Sequence, residues 1–474
     1  MPDEQLEQIH QTALRILAEL GIRMAQPEMR ERLAGMGCRV SGERVFIPRA
    51  IASAVVANIP SSFCLYGRDA LRSVCVKARG QMLYTNSGIV ANIVDFDSGE
   101  VRRSTRQDVV LTTRLLDALP NVDFVYVSLV DATEMPPHMV TVTDLAVTLE
   151  NTTKPLGGPG ATNRLEAEAI VGMARAMRGD DPVELAARPV CAPFIAPITP
   201  LTFPVELVEA LCVIAKAALP LMVVSNPVMG VTAPSTLAGT AALGHAEVIA
   251  SAVMAHAVRP GLPILSHNTP SIADMRTLTN TTGGPEIGLL RRTIAQVSRH
   301  VNLPSWAPGH TSSARLDIQA GDEKSINALL TACGRPAILG GLGGLANITL
   351  TAYESLVLDD ERYGALKRVL NGVAVDDDHL ALDVMAEQIA GVDVVSHPHT
   401  LKHLRSGEVW MPRLANRRGL VNGCPEPETA LDRAHREARR IMETHTVAPL
   451  SALIQARITN ILDEYDQRCR VETN

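Results

Sequence analysis

The chain has 474 residues, of which 46% are hydrophobic and 20% charged, so it can bury a large core and is too apolar for a disordered protein. Its net charge of -7 argues against a nucleic-acid-binding protein, which normally presents a basic face. The acidic N-terminus and the lack of a long uncharged apolar run argue against a signal peptide and a membrane span, so we expect a cytoplasmic protein.

The first sixty residues predict a small helical cap. Apolar residues recur at helical spacing over 4–20, and a second helix is predicted over 27–36. The sequence that follows, CRVSGERVFIP, predicts a hairpin that turns at Ser41 and Gly42. We therefore assign residues 1–60 to an N-terminal helical cap.

Short strands and turns then lead into the main domain. Residues 61–103 contain the segments FCLYG, SVCVKA, MLYTNS and ANIVDFDSGEVRR, and the last of these turns around Asp97 and Gly99. We interpret Asp95 and Asp97 as turn residues in preference to catalytic acids. This stretch is the β-rich entry segment of a domain that we place at 61–370.

Eight apolar segments of this domain are each followed by a helical pattern. The strands are predicted at 81–87, 123–130, 153–160, 188–197, 220–228, 262–268, 303–309 and 335–344. Eight strand–helix units in succession favour a closed (β/α)8 TIM barrel, an α/β fold, and a doubly wound open sheet is the alternative. The GxGxxG phosphate-binding motif of the open sheet is absent. The segment GGLGGLAN at 340–347 is the nearest match and is a weak signal.

Charged helical patterns continue after residue 370, as in DDDHLALDVMAEQIAG and PETALDRAHREARRIMETH. They predict a C-terminal helical extension, 371–474, that wraps the barrel or forms a subunit contact. We therefore expect a homo-oligomer.

The carboxyl ends of the predicted strands carry polar and aromatic side chains, and this is where a barrel places its ligands. These residues are Tyr84, Asn86, Ser87, Asp131, Glu134, Gly157, Gly158, Phe194, Ser225, Asn226, His267, Asn268, Trp306, His310 and Asn347. Any one of them could simply cap a helix, as His267 or Asn226 could. As a set they predict a pocket.

No motif for a metal or a nucleophile is evident. The sequence lacks HExxH, Cys-x-x-Cys and GxSxG, and the three histidines of SHPHTLKH (396–403) have no acidic or thiol partner at a matching spacing, so we predict no metal site. Cys333 precedes a strand, which is a poor position for a nucleophile. An aldolase would need a lysine at a strand end, and Lys154 lies at a strand start.

Cysteines and aromatic residues are both sparse. The cysteines are Cys38, Cys64, Cys75, Cys191, Cys212, Cys333, Cys424 and Cys469, and their scattered apolar contexts predict buried free thiols in a reducing compartment. Aromatic residues make up 3% of the chain, so an aromatic side chain at a strand end is more informative than usual.

Several long segments, taken in order, resemble one known family. They include QIHQTALRILAELGIRM (8–24), VDFDSGEVRRSTRQDVVLTTRLLDALPNVDFV (94–125), NPVMGVTAPSTLAGTAALGHAEVIA (226–250), DIQAGDEKS (317–325), LTAYESLVLDDE (350–361) and HTLKHLRSGEVWMP (399–412). The chain resembles the trimethylamine methyltransferase superfamily, and more narrowly the branch without pyrrolysine that includes glycine betaine:corrinoid methyltransferases.

The resemblance implies a barrel enzyme that moves a methyl group from an amine to the cobalamin of a separate corrinoid protein. Ordinary residues throughout the chain imply a quaternary amine, such as glycine betaine, proline betaine or carnitine, in place of trimethylamine. Cob(I)alamin would supply the nucleophile, and the protein would need only to bind, orient and exclude water.

Chemistry and strand-end position select the substrate-binding candidates. Aromatic faces favour a quaternary ammonium group, and the candidates are Tyr84, Phe194, Trp306 and Tyr353. A carboxylate would need donors, for which the candidates are Asn86, His267, Asn268, His310 and Arg315. A non-catalytic barrel that binds a betaine as a sensor or subunit is the alternative function, and a hydrolase or aldolase is a third.

Overall fold

The computed structural model describes residues 1–421, 424–425 and 428–473. The α-helices are α1 (Asp3–Arg15), α2 (Pro27–Gly35), α3 (Arg49–Asn58), α4 (Arg106–Ala118), α5 (Val140–Asn151), α6 (Arg164–Ala176), α7 (Pro182–Ala187), α8 (Val205–Lys216), α9 (Leu237–Val258), α10 (Pro285–His300), α11 (Ile318–Cys333), α12 (Tyr353–Leu370), α13 (Asp377–Leu380), α14 (Leu382–Ile389), α15 (Pro398–Arg405), α16 (Ala430–Thr444) and α17 (Ala452–Thr473).

The strands are short and belong to several sheets. They are β1 (Ile22–Met24), β2 (Arg39–Ser41), β3 (Arg44–Phe46), β4 (Ser62–Leu65), β5 (Val74–Lys77), β6 (Leu83–Asn86), β7 (Asn92–Val94), β8 (Val101–Arg103), β9 (Phe194–Ile195), β10 (Thr202–Phe203), β11 (Leu221–Ser225), β12 (Val228–Met229), β13 (Ile264–Asn268), β14 (Ser271–Asp274), β15 (Thr279–Thr281), β16 (Ser305–Pro308), β17 (Ile338–Leu342), β18 (Gly344–Leu345), β19 (Leu350–Thr351), β20 (Leu420–Val421) and β21 (Cys424–Pro425).

A parallel sheet of six strands forms the centre of this α/β fold, in the order β6-β17-β16-β13-β11-β9. Each of these strands is followed by one of the predicted long helices, which lie at α4, α8, α9, α10, α11 and α12. Near-continuous apolar runs are typical of strands that are covered on both faces, as these are.

The predicted strands at 123–130 and 153–160 are wrong as regular strands, although the helices predicted after them are present as α5 and α6. Val125 and Leu156 form an isolated parallel bridge. Side chains replace part of the backbone ladder, since Asn86 Oδ1 accepts from the Tyr126 N–H and Asn86 Nδ2 donates to Val127 O. In the second segment, prolines remove backbone donors that a ladder would need.

Backbone hydrogen bonds place these two segments between the edge strands of the sheet. The Asp123 N–H donates to Tyr84 O on β6, the Leu156 N–H donates to Val190 O, and the Phe194 N–H of β9 donates to Pro159 O. The two edges of the six-stranded sheet are therefore linked through 123–130 and 153–160.

The inner face of the sheet is filled by its own apolar cluster. The hairpin β4–β5 contributes Phe63, Leu65 and Val76 to this cluster, which also contains Leu265 and Trp306 of the central strands. The predicted β-rich entry segment thus packs in the same apolar cluster as the central strands.

The N-terminal elements agree with the prediction, because α1, α2 and the β2–β3 hairpin lie where it places them. They are not separate from the main domain, since α1 packs on α9 and α10, and β1 pairs with β10. One continuous hydrophobic cluster includes Leu14 of α1 and Val248 of α9. The domain boundary near residue 60 remains a prediction.

In the C-terminal extension, α16 packs on α12 and α4, and α17 packs on α6. Among the described residues, α13, α14 and α15 contain no buried side chain. Elsewhere, α9 is long and apolar enough to cross a membrane, but 83% of its most apolar window is buried in the protein. It is a core helix that packs on β11 and β13.

The cysteine prediction is correct only in part. Cys38 and Cys191 are buried free thiols, whereas Cys333 is an exposed free thiol. Cys64 and Cys75 form a disulfide, because the β4–β5 register places them directly opposite each other with Cα atoms 4.0 Å apart. The side chain of Cys424 lies outside the described part of the chain.

Candidate functional site

Four ring side chains form a connected group against one face of the six-stranded sheet. We call Tyr126, Phe194, His267 and Trp306 the aromatic group. The Tyr126 ring stacks on Trp306 with centroids 5.3 Å apart and on Phe194 at 6.3 Å, and the His267 and Trp306 centroids lie 3.6 Å apart. Phe194 is half-buried and the other three are buried. The structure therefore brings together three sequence-predicted residues and adds Tyr126.

Strand register explains why two members of this group meet. His267 of β13 and Trp306 of β16 are register partners on adjacent parallel strands, so their side chains point to the same face of the sheet. On β17, Gly340 leaves the space that the indole of Trp306 fills, and a Cβ atom there would overlap the ring. Trp306 is only 1% exposed, and its Nε1 has no hydrogen-bond partner.

Burial sets the protonation of the aromatic group. Desolvation raises the pKa of Tyr126, which keeps its phenol protonated. Desolvation, together with the nearby Arg291 charge, lowers the pKa of His267 well below its usual value, so the ring is neutral at neutral pH. The Tyr126 hydroxyl lies 3.1 Å from His267 Nδ1 and can donate to it. In the arrangement where Tyr126 donates, His267 Nε2 carries the ring hydrogen.

A buried arginine, Arg291, lies close enough to the aromatic group for its charge to act on His267. Arg291 of α10 donates from Nη1 to Pro308 O at 3.3 Å and from Nη2 to His310 Nδ1 at 3.5 Å. Since an arginine can only donate, His310 Nδ1 is the acceptor, and Nε2–H donates to Ser87 Oγ at 3.1 Å. Desolvation, then the charges of Arg291, Lys324 and His267, lower the pKa of His310 well below its usual value.

Arg291 has no acidic partner within 4 Å in the part of the chain that the structure describes. Desolvation lowers its pKa to about 9, so it remains charged at neutral pH. The prediction from strand ends missed Arg291 because it lies in mid-helix. A signal was present, because Arg291 stands in the apolar stripe of α10 with Ile287, Leu290 and Ile294.

Three of the predicted binding residues lie away from the aromatic group. Tyr84 points to the outer face of β6, where its ring packs on Tyr363 of α12 with centroids 5.4 Å apart. The Tyr353 hydroxyl donates to Asp108 Oδ1 at 2.5 Å. Arg315 is exposed in the loop after β16. The sequence could not assign the face of the sheet on which each side chain lies.

The predicted amide donors are structural or unpartnered. Asn86 is occupied with the backbone of the 123–130 segment. Asn268 is buried against Gly244 of α9, and neither its Oδ1 nor its Nδ2 has a partner. Asn347, which is predicted as a strand-end residue and not as a carboxylate donor, accepts from the Thr282 N–H.

The remaining strand-end residues have various surroundings. Ser225 Oγ donates to Glu247 Oε2 at 2.6 Å, and Asn226 is exposed next to Thr269. Gly157 and Gly158 allow close backbone approach, since a Cβ atom at either would overlap backbone atoms of the neighbouring segment.

Two carboxyl groups meet beyond the end of the 123–130 segment. Desolvation raises the pKa of Asp131 and raises that of Asp144 to about 9, where the Asp131 charge also contributes. Asp144 is therefore a neutral acid at neutral pH. Its Oδ2, Ser128 Oγ and Thr148 Oγ1 have no partner and line a cavity beside Tyr126 with room for about one water molecule.

Lys154 caps the C-terminus of a helix. It is the lysine considered above for an aldolase. Its Nζ donates to Leu116 O at 2.7 Å and to Leu119 O at 3.0 Å, at the C-terminus of α4. Desolvation lowers its pKa to about 7. The buried amine is committed to these carbonyl groups and does not contact the aromatic group.

Comparison with known proteins decides the family. The family model described as trimethylamine methyltransferase (MTTB) matches residues 1–470. The chain belongs to the trimethylamine methyltransferase family. This confirms the resemblance seen in the sequence, and membership of the family identifies the chain as a methyltransferase.

Relatives in the family match over nearly the whole chain. The trimethylamine methyltransferase MttB of Desulfitobacterium hafniense strain DCB-2 is 29% identical, covering 98% of this chain and 93% of its own length. The glycine betaine methyltransferase of Desulfitobacterium hafniense strain Y51 is 27% identical, covering 97% and 95%.

Solved structures agree on the fold. The Methanosarcina barkeri monomethylamine methyltransferase MtmB has a TM-score of 0.52 and 13% identity, covering 94% of this chain and 95% of its own. Its hydroxylamine complex has a TM-score of 0.53 at the same identity and coverage. At this identity the likeness concerns the fold alone.

Proposed function

We propose that this methyltransferase moves a methyl group from a quaternary amine, a carboxylate-bearing betaine such as glycine betaine, to the cob(I)alamin of a separate corrinoid protein. The observation that carries the proposal is the aromatic group, together with the nearby buried cation Arg291, which has no acidic partner among the described residues. One relative in the family is named glycine betaine methyltransferase.

The reaction explains why neutral groups suffice. A quaternary nitrogen already carries its positive charge, so the amine leaves as a neutral tertiary amine without receiving a proton. Aromatic faces attract such a cation by about 0.5–2 kcal/mol each, and the rings of Tyr126, Trp306 and Phe194 lie together. The neutral state of His267 avoids repulsion of the substrate cation.

We assign the substrate carboxylate to the side of the site where Arg291 lies. A buried guanidinium without a counter-ion is costly, and an anion bound nearby would offset that cost. Arg291 provides the positive potential for a carboxylate, and its Nη2 donates to the neutral His310 at 3.5 Å.

The corrinoid group belongs to the partner protein in this proposal. Cob(I)alamin supplies the nucleophile that accepts the methyl group. The residues of this chain bind the amine, orient one methyl group towards the carboxyl ends of the strands, and exclude water from the aromatic group.

We further propose that the central sheet closes into the (β/α)8 barrel that the sequence predicts. The hydrogen bonds that link β9 to 153–160, 153–160 to 123–130, and 123–130 to β6 support this closure. A cytoplasmic location and a homo-oligomer remain part of the proposal.

The test measures the absorbance change of cob(I)alamin on methylation, with the amine product identified by mass. We expect the best rate with a carboxylate-bearing betaine, a lower rate with tetramethylammonium, and the lowest with trimethylamine. A faster rate with trimethylamine than with every betaine would overturn the substrate assignment. Tight betaine binding without methylation from any amine would favour the alternative, a non-catalytic sensor.

A further inference from the structure

A pair of histidines lies on one face of α15 in the C-terminal extension. His399 and His403 are four residues apart on this helix, and their ring centroids are 4.2 Å apart. Two histidines at this spacing on a helix can ligate one metal ion. The sequence contains the pair within 396–403, but no acidic residue stands close to it along the chain.

The tertiary structure supplies the acidic partner from another helix. Asp378 of α13 offers a carboxylate oxygen that lies, with one nitrogen of His399 and one of His403, within 4.8 Å of one another. His403 Nε2 is 3.1 Å from Asp378 Oδ2. Three ligand atoms of two chemical types thus converge from helices that are separated along the chain.

A third histidine lies beside these three residues. The ring of His379 lies 4.8 Å from that of His403 between centroids. Its Nδ1 is 2.7 Å from Asp376 Oδ1, so Asp376 can orient the ring and leave Nε2 free. A carboxylate that holds the second nitrogen of a histidine is the usual outer partner of a metal-bound imidazole.

We propose that Asp378, His399 and His403 bind a zinc ion, with His379 as the fourth ligand. Imidazole nitrogens and a carboxylate oxygen are zinc ligands at about 2.0–2.2 Å, and four of them suit tetrahedral coordination. Ligand atoms in such a site are roughly 3.3 Å apart. Asp378 Oδ2 and His403 Nε2 already lie 3.1 Å apart. Asp378 is exposed and the three histidines are half-buried, and all four residues lie on short helices.

Lys402 competes for the same carboxylate. Its Nζ lies 2.7 Å from both oxygens of Asp378, and its side chain is 61% exposed, so it can turn into solvent when the ion binds. Removing this ammonium group therefore strengthens zinc binding, which distinguishes a site at Asp378 from binding elsewhere on the surface.

The bound ion has a structural role in the C-terminal extension and takes no part in methyl transfer. No buried side chain holds α13 or α15 in the described chain, so zinc would link two helices that apolar packing leaves loosely attached. None of the four ligands belongs to the aromatic group, so methyl transfer is independent of this ion.

The test uses the full-length chain without a histidine tag, freed of metal with a chelator and titrated with zinc. We expect one zinc ion per chain for the wild type, and loss of that ion in the double variant His399→Ala/His403→Ala. The control His300→Ala changes a histidine on α10 and should leave binding unchanged. Asp378→Asn should weaken binding at least tenfold, and Lys402→Ala should tighten it.

Equal zinc binding by the wild type and the double variant would overturn the proposal, as would a wild type that binds none. Limited proteolysis gives a second readout that a folding defect alone does not imitate. Zinc should slow cleavage within 373–409 in the wild type and in His300→Ala, and have no effect in the double variant. Cleavage that zinc leaves unchanged in the wild type would overturn the stabilising role.

Discussion

The hydroxyl of Tyr126 lies 3.1 Å from Nδ1 of His267, although 141 residues separate the two in the chain. The contact joins the irregular segment 123–130 to the regular strand β13. The protonated phenol can donate to Nδ1, and in that arrangement the hydrogen of the neutral His267 ring lies on Nε2. The pair therefore links the geometry of the candidate site to its protonation state.

Tyr126→Phe keeps the aromatic face and removes the hydroxyl. We expect a modest change in KM for a betaine, because the ring remains, and a fall in kcat of about tenfold, because His267 loses the partner that holds it. Tyr126→Leu removes the face as well and should also raise KM. Steady-state methylation of cob(I)alamin measures both. Wild-type kinetics for Tyr126→Leu would exclude this residue from the site.

Trp306 provides a matched pair of substitutions within the same group. Trp306→Phe retains a ring and Trp306→Leu does not, while both shrink a fully buried side chain and should lower the free energy of unfolding by about 1–3 kcal/mol. The leucine variant should show a KM for betaine about 2–30-fold above that of the phenylalanine variant, the range of a cation–π contact. Equal KM values would mean that Trp306 acts only through packing.

Arg291→Met tests the assignment of the carboxylate. Methionine keeps an unbranched apolar side chain and removes the charge, so KM for a betaine should rise about 10–100-fold, the worth of a charge-assisted hydrogen bond. KM for tetramethylammonium, which has no carboxylate, should change little. The thermal midpoint of the variant serves as the control for folding. The same rise in KM for both amines would show that Arg291 supports the structure and not the carboxylate.

Asp144→Asn tests the neutral acid beside Tyr126. The pKa of Asp144 in the folded state, about 9, lies above its value of about 3.9 in the unfolded chain, so the folded state binds more protons between these values. The free energy of unfolding of the wild type should therefore fall as pH rises through this window. Asparagine has the same size as aspartate and does not titrate.

Urea unfolding at about pH 5, 7 and 9 measures this difference. Relative to Asp144→Asn, the wild type should lose at least about 1.4 kcal/mol between the lowest and highest pH, the equivalent of one pKa unit. Asp383→Asn, which changes an exposed carboxylate on α14, should follow the wild type. Parallel curves for the wild type and Asp144→Asn would show that Asp144 is ionised in the folded protein.

The sequence by itself determined the local elements and their order. Hydrophobic periodicity located the helices that follow the central strands, and turn chemistry located the β2–β3 hairpin and the turn at Asp95, whose side chain accepts from the Ser98 N–H. These features depend on interactions between near neighbours, which a single sequence contains. The resemblance over many segments also identified the family before any contact was known.

Only the tertiary structure decided which side chains meet. A strand pattern that is apolar on both faces does not say which face is inner, and this is why Tyr84 lies outside the sheet and Trp306 inside. The burial of Arg291 depends on the rotation of α10 against the strands. The approach of Asp378 to His399 and His403 depends on how separate helices pack, and such long-range contacts leave no local periodicity to read.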